Sequence, residues 1–232
     1  MVLAAHQPYF IPYLAYWQMI GAVDHFLIAD DYAFMKQGWI NRNRILINGK
    51  PNYFRIEVNG QSSYRFINET ELLPISVEDK MKTVYMAYHK APFYAEGSRL
   101  MEEILSFPEL NLSKFLSNSI FRICDYLGIS TAISYTSEIP GNSSLHLEQR
   151  IYDFCKAHGA DVYVNAVGGQ ELYHFDEFRQ HGIKLRFINS NHPEYKQFGN
   201  DFVGHLSILD AIMFNSKEEL QWMLKQYTFI DE

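Results

Sequence analysis

Two short apolar runs, Val2–Ala5 and His25–Ala29, bracket a stretch with helical spacing, and this arrangement restricts the fold more than any other feature. Between them, in residues 13–23, Leu14, Trp17 and Ile20-Gly21 recur every three or four positions, and Asp24 ends the pattern. A strand, a helix and a strand of this length make a βαβ unit, with the strands parallel and the crossover right-handed.

The chain then changes character. Residues 44–47, 53–58 and 64–67 alternate at period two, and Asn48-Gly49 and Asn59-Gly60 are turn dipeptides between them. Residues 77–127 read as helical, broken at Pro92 and Pro108, with Gly128 closing the longest stretch. A strand over 129–135, a helix over 145–158 capped by Gly159, and a strand over 161–164 follow. A short helix at 175–181, a strand at 183–188 and helices at 207–214 and 217–224 complete the reading. The expected fold class is α/β: a parallel or mixed sheet built from βαβ units at both ends of the chain, a β-hairpin section and a mostly helical middle. One domain over 1–232 is expected, with 77–127 as a candidate helical subdomain.

The net charge of -7 argues against bulk nucleic-acid binding and against a polybasic membrane anchor. No charged-then-apolar signal opens the chain and no apolar run approaches ~18 residues, so a cytoplasmic protein without membrane insertion is expected. Cys124 and Cys155 lie in apolar helical patterns without a C-x-x-C partner and read as buried thiols. The other histidines show no H-E-x-x-H spacing, so no zinc site is expected; His89, in Y-H-K-A-P-F-Y, stands out among them.

The first loop, H-Q-P-Y-F-I-P over residues 6–12, lies at the carboxyl end of the first strand, where open parallel sheets bind ligands. Its prolines fix the backbone and remove donors, which makes a shaped loop rather than a lid. His6 can act as acid, base or phosphate donor, and Gln7 can read an amide or hydroxyl. With Tyr9, Tyr13 and Tyr16 they form a candidate site; the competing reading is a capped strand with packing tyrosines. Asp30-Asp31 follows the second strand and could hold a ribose hydroxyl, an ammonium group or Mg²⁺, or could cap a turn. Lys36, Asn41, Arg42, Asn43 and Arg44 come next. In an extended chain the two arginines share one face, ~7 Å apart, with the asparagines on the other. Such a pair can clamp diphosphate or carboxylate, or blunt a solvated edge. After the strand at 161–164, Asn165 and Gly168-Gly169, with Tyr173 beyond, would let backbone amides approach a ligand, or make a plain turn. Ser207 and Asp210 read as a helix N-cap arrangement.

The strand, proline-rich loop, helix and second strand resemble the layout of nucleotidylyltransferases and adenylate-forming enzymes, with Tyr13 and Tyr16 in the slots of the two H-x-G-H histidines. That likeness makes ATP and Mg²⁺ the candidate cofactors; the residues themselves name none. A fuller resemblance is to the WbqC-like family. It is carried by His6-Gln7-Pro8-Tyr9 with Pro12, Asp30-Asp31, Asn41 to Ile45, Gly159-Ala160 with Tyr163, and Gly168-Gly169. Tyr173, Phe178, Gly182-Ile183, Leu206 to Asp210 and Phe214-Asn215 continue it across essentially the whole chain. Two departures touch the candidate pocket: Tyr13 and Ala15 stand where the family commonly has tryptophan and glycine, and Asn165-Ala166 where it has Ser-Gly.

The resemblance implies a role in precursor synthesis for O-antigen-type surface polysaccharides. It suggests transfer of an acyl or aminoacyl group, glycine among them, to an amino sugar carried on a nucleotide. Such an enzyme would use His6 as base, Asp30 or Asp31 on the amine, Arg42 and Arg44 on diphosphate, and Gly168-Gly169 as backbone donors. Two alternatives remain open: a non-catalytic binder of sugar nucleotides or glycans, and a glycosyltransferase-like enzyme with Asp30-Asp31 on a metal. In each case the partner is a small molecule, and the residues leave the oligomeric state open.

Overall fold

The computed structural model describes residues 1–199 and 201–232. The first apolar run is β1 (Val2–His6), followed by α1 (Leu14–Gly21) and β2 (His25–Ile28). β1 and β2 pair in parallel, Ala4 beside Phe26, as the opening βαβ unit requires. The hairpin is β3 (Arg42–Ile47) and β4 (Lys50–Arg55). Its turn has φ of 52° at Asn48 and 72° at Gly49, the left-handed pair that an Asn-Gly hairpin turn requires. Residues 64–67 do not form the expected strand. Phe66 meets Ala33 in one isolated bridge, and Ile67–Glu69 close into a 3₁₀ turn whose Glu69 carboxylate accepts from the Phe66 amide.

The helical middle is α2 (Val77–Tyr88), α3 (Tyr94–Leu105) and α4 (Leu112–Leu127). Pro92 and Pro108 fall between these helices, and Gly128 ends α4 at φ 73°, a left-handed cap that costs glycine nothing. Then come β5 (Ala132–Tyr135), α5 (Leu147–His158), β6 (Val162–Ala166), α6 (Phe175–Gln180) and β7 (Lys184–Ser190). The chain closes with α7 (Ile208–Phe214), α8 (Lys217–Met223) and β8 (Tyr227–Ile230). The last strand was not anticipated; it pairs antiparallel to β7 and covers that strand's free edge.

The main sheet runs β5-β2-β1-β6-β7-β8, parallel throughout except for β8. From β1 the chain steps outward to β2 on one side, and from β6 to β7 on the other, so the order reverses between β1 and β6. That reversal opens a crevice at the carboxyl ends of the strands. Alternation along the strands divides the core. Ala4, Phe26, Val164 and Ile188 face α1, the hairpin and α2, α3, α4 and α7, while Leu3, Tyr163, Leu185 and Phe187 face α5 and α6. Cys124 and Cys155 are buried free thiols, one in each cluster, and burial pushes both up to about 12. Among the described residues no helix is long and apolar enough to cross a membrane.

One buried ion pair ties α5 to the sheet edge. Arg150 donates to both oxygens of Asp31, at 2.6 and 2.7 Å, and Thr136 donates to Asp31 Oδ1 at 2.5 Å. Arg150 Nε reaches Asn142 at 2.8 Å, and the guanidinium lies 4.1 Å over the Tyr32 ring. Removing one partner leaves an uncompensated buried charge, so Arg150→Ala is expected to cost about 3–5 kcal/mol in urea unfolding. Asp31→Leu with Arg150→Met, which removes both charges, should recover most of that loss. A single-variant loss below about 1 kcal/mol would mean that solvent already screens the pair.

Candidate functional site

The crevice between β1, β6 and β7 is occupied by two adjoining cavities that share Tyr9, Tyr13 and His192 as walls. The inner cavity, about 320 Å³, is lined from the strand ends by His6, Ala166, Ile188 and Ser190, and from α1 by Ala15, Tyr16 and Met19. The outer cavity, about 250 Å³, adds Trp39, Asn43, Arg44 and His205. Larger depressions of about 470 and 610 Å³ lie at the opposite end of the sheet, around Asp161, Gly182 and Ile183. They sit at the amino ends of β6 and β7, away from the switch point.

The first loop is rigid for a reason visible in its carbonyls. Asn43 Nδ2 donates to Phe10 O at 3.2 Å and Ile11 O at 3.0 Å, and Ser207 Oγ donates to Ile11 O at 2.7 Å. Trp17 Nε1 and the Ile208 amide both donate to Pro12 O. These bonds hold Ile11 at φ 40°, a left-handed backbone that a β-branched residue adopts only when its surroundings impose it.

His6 ends β1 with Nδ1 at 3.0 Å from Gln7 O. A carbonyl only accepts, so Nδ1 carries the proton and the lone pair of the neutral ring is on Nε2. Tyr9 and Tyr16 stand edge-on to the imidazole, at 4.9 and 5.3 Å between centroids. Burial lowers the His6 pKa below the usual 6.5, opposed by the Gln7 bond, so the ring is neutral at pH 7. Burial likewise pushes Tyr9 up to about 12 and raises Tyr13 and Tyr16; all three phenols stay protonated donors. The Tyr16 hydroxyl is committed to Gln7 O at 3.2 Å.

The outer cavity is the cationic one. The Arg44 guanidinium lies 5.5 Å over Trp39 and donates to His205 O at 3.1 Å, while its Nε is buried without a partner. His192 and His205 are 4.4 Å apart, and Tyr13 stacks on His192 at 5.7 Å. Burial, then the neighbouring His205, lowers the His192 pKa. Among the described residues no carboxylate lines either cavity. One guanidinium, imidazole rings and protonated phenols suit an anionic ligand, and they offer Mg²⁺ no carboxylate of the kind that holds it in proteins. ATP phosphates fit this donor set; a protein-held Mg²⁺ does not.

The other anticipated residues are placed elsewhere. Asn41 is buried and donates to Ile56 O at 2.8 Å, and Asn43, though at the cavity wall, spends its amide on the loop. Arg42 shares a face with Arg44 but is tied to the carbonyls of Gly38 and Gln37 and lines neither cavity. Lys36 is exposed, and Gln7 contributes its carbonyl rather than its amide. Asp31 is consumed by Arg150. Asp30 accepts from the amide and hydroxyl of Ser137 at 3.2 and 2.9 Å, with burial raising its pKa against these bonds. Among the described residues no group of three or more His, Cys, Asp or Glu could hold a metal ion.

The glycine pair follows β6 in a 3₁₀ turn, Val167–Gly169. Gly168 is open to solvent, and a Cβ on Gly169 would lie 2.7 Å from Asn165 Nδ2 and 3.3 Å from Tyr173. Asn165 follows Tyr163 at period two, on the α5–α6 face, and Tyr173 packs into that core. Gly169 therefore serves packing at the rim while Gly168 meets nothing, and of the expected convergence of glycines, His6 and both arginines only His6 and Arg44 line the two cavities. Asp210 also differs from its reading as a cap: it accepts from Tyr88, Tyr195 and Gln197 at 2.9, 2.8 and 2.7 Å in the core. Ser207 does cap α7, accepting from the Leu209 amide. His89 is exposed, with Nδ1 on Tyr85 O, outside the cleft.

Sequence reading missed His192 and His205, thirteen positions apart on a strap formed by residues 191–199 and 201–207 between β7 and α7. Nothing local marks either one, although His205 holds φ 55°. Of the two departures from the family pattern, Tyr13, Ala15 and Ala166 line the inner cavity and Asn165 does not.

Comparison with known proteins agrees with the resemblance carried by these residues. An uncharacterized protein of Mycobacterium tuberculosis, Rv1507c, is 28% identical over 221 residues, covering 92% of this chain and 93% of the relative. The WbqC-like protein family matches residues 7–222, a span that begins just after His6 and includes residues 7–12 of the first loop, the hairpin and α7, and the chain belongs to that family.

Proposed function

We propose that the chain is a transferase of surface-polysaccharide precursor synthesis, moving an acyl or aminoacyl group onto the amine of a nucleotide-linked amino sugar. One observation supports this reading above others. A neutral histidine with its lone pair on Nε2 lines a cavity that adjoins a second one holding Arg44, whose Nε has no partner. A proton acceptor beside an anion holder is what an amine nucleophile on a phosphate-bearing carrier needs.

In this reading Arg44 holds phosphate, with His192 and His205 as further polar contacts. The substrate amine attacks the acyl carbon in the inner cavity; the new C–N bond forms, and the carbonyl electrons move onto oxygen. His6 Nε2 takes the proton from the attacking nitrogen. Tyr9, protonated and on the shared wall, donates to the developing oxyanion. Collapse of the intermediate expels the leaving group of the acyl donor, and His6 returns the proton to it. Where the carboxylate is free, ATP would activate it in a preceding half-reaction, giving the acyl adenylate and releasing pyrophosphate, with the ATP phosphates on Arg44 before the sugar nucleotide binds there. The glycosyltransferase alternative needs Asp30 and Asp31 free to hold a metal, and Arg150 and Ser137 occupy both. The aromatic walls suit a non-catalytic sugar-nucleotide binder equally well; stabilisation by sugar nucleotides with no product by mass spectrometry, across a panel of acyl donors with and without ATP, would decide for it.

His6→Ala is expected to abolish turnover while keeping sugar-nucleotide affinity within about tenfold. The acidic limb of kcat/KM should have its midpoint below pH 6.5, because burial depresses the His6 pKa from that value and activity falls only as the ring protonates. A limb above pH 6.5, or turnover that survives the substitution, would assign the base elsewhere. Arg44→Ala should weaken sugar-nucleotide binding in calorimetry by ~1.5–3 kcal/mol, the range for a hydrogen bond to a charged group, with the unfolding midpoint as the control for folding. Unchanged affinity would remove the phosphate from the outer cavity.

A further inference from the structure

The hairpin beside the outer cavity carries Arg42, Tyr53 and Arg55, which neither the core nor the cavity uses, beside Trp39 and Arg44, which line the cavity. Residues opposite one another in an antiparallel ladder share a face. Arg42 with Arg55 and Arg44 with Tyr53 therefore project from one side of β3–β4. The other side delivers Ile45 and Phe54 to the core. Trp39, just before β3, joins the outward set: its ring is 6.3 Å from that of Tyr53 at 43°. Guanidiniums bracket the rings, Arg42 at 4.5 Å over Tyr53 and Arg44 at 5.5 Å over Trp39.

Trp39 is 39% and Tyr53 50% exposed. Single exposed aromatics need no explanation. Here two large rings lie side by side, continuous with a cavity through Trp39. Three arginines share their face, on a chain whose net charge is -7. Arg42 is anchored to the Gly38 and Gln37 carbonyls, so its charge is held in place beside the ring rather than left to swing in solvent. Positive charge selects an anion, and open ring faces select a planar group attached to it.

We propose that Trp39 and Tyr53 stack the nucleobase of a nucleoside diphosphate whose phosphates sit on Arg44, with Arg42 and Arg55 flanking. The inference rests on the reading of Arg44 as phosphate holder for a nucleotide-linked substrate and adds where the base of that carrier binds, a contact that a lipid diphosphate could not make. The sugar and its amine then extend past Tyr9 and Tyr13 into the inner cavity.

Calorimetry on the full chain separates the two readings, with inorganic pyrophosphate, uridine diphosphate, adenosine diphosphate and farnesyl diphosphate as probes. The nucleotides are expected to bind about tenfold tighter than pyrophosphate, within the range of one base stacked on an aromatic side chain. Tyr53→Ala and Trp39→Ala should each remove most of that advantage, and Tyr53→Ala, which lines no cavity, should leave pyrophosphate affinity as it was. Nucleotides binding no tighter than pyrophosphate, or a Tyr53→Ala loss shared equally by pyrophosphate, would overturn the stacking site and leave the Arg44 reading standing. Farnesyl diphosphate matching the nucleotides would also overturn it, since an apolar tail would then suffice. No binding of any probe to the wild-type chain would end both readings together.

Discussion

Four carbonyls of the first loop, those of Gln7, Phe10, Ile11 and Pro12, are answered by side-chain donors of other elements: Tyr16, Asn43, Ser207 and Trp17. A loop with two prolines is short of amide donors of its own, and buried carbonyls must find partners. Satisfying them draws three separate pieces to the rim of the sheet: α1, β3 and the start of α7. The backbone adds to this, with the Ser207 amide on Arg44 O and the Ile208 amide on Pro12 O. The cleft is the space left between these pieces and the ends of β1, β6 and β7.

That construction explains how one small site holds groups of opposite chemical habit. His6 comes from the end of a central strand, where burial keeps its ring neutral. Arg44 comes from a hairpin that packs from outside, so its side chain is only partly buried and its guanidinium reaches the outer cavity. Tyr9 and Tyr13 form the wall between, protonated because burial disfavours the phenolate. Charge is thus held at the mouth of the cleft and a neutral base in its depth, in a chain of acidic balance.

The Asn41-Arg42-Asn43-Arg44 run shows how closely inward-bonding and outward-projecting side chains interleave. Period-two alternation sends the asparagines inward, where their amides satisfy backbone carbonyls of Ile56, Phe10 and Ile11, and the arginines outward. The acidic pair divides differently. Both aspartates end at the sheet edge, Asp31 in an ion pair with Arg150 and Asp30 on Ser137, because β5 and α5 bring their partners there.

Local pattern determined most of the elements. Apolar runs, helical spacing and left-handed glycines at Gly49, Gly128 and Gly159 act within a few residues, so the opening βαβ unit, the hairpin and the helix ends were legible from the chain alone. So was the place of His6 at a strand's carboxyl end. Tertiary structure alone decided which polar residues line the cleft. Asp31 could not be separated from a site residue without Arg150, 119 positions away, nor Gly169 from a phosphate loop without the Asn165 side chain against it. His192 and His205 lie at the cleft with neighbours fixed by distant partners: Asp210 accepts from Tyr195 and Gln197, and Arg44 donates to His205 O. A hydrogen bond or ion pair between distant residues leaves no periodic trace in sequence, since its strength depends on separation in space, not along the chain.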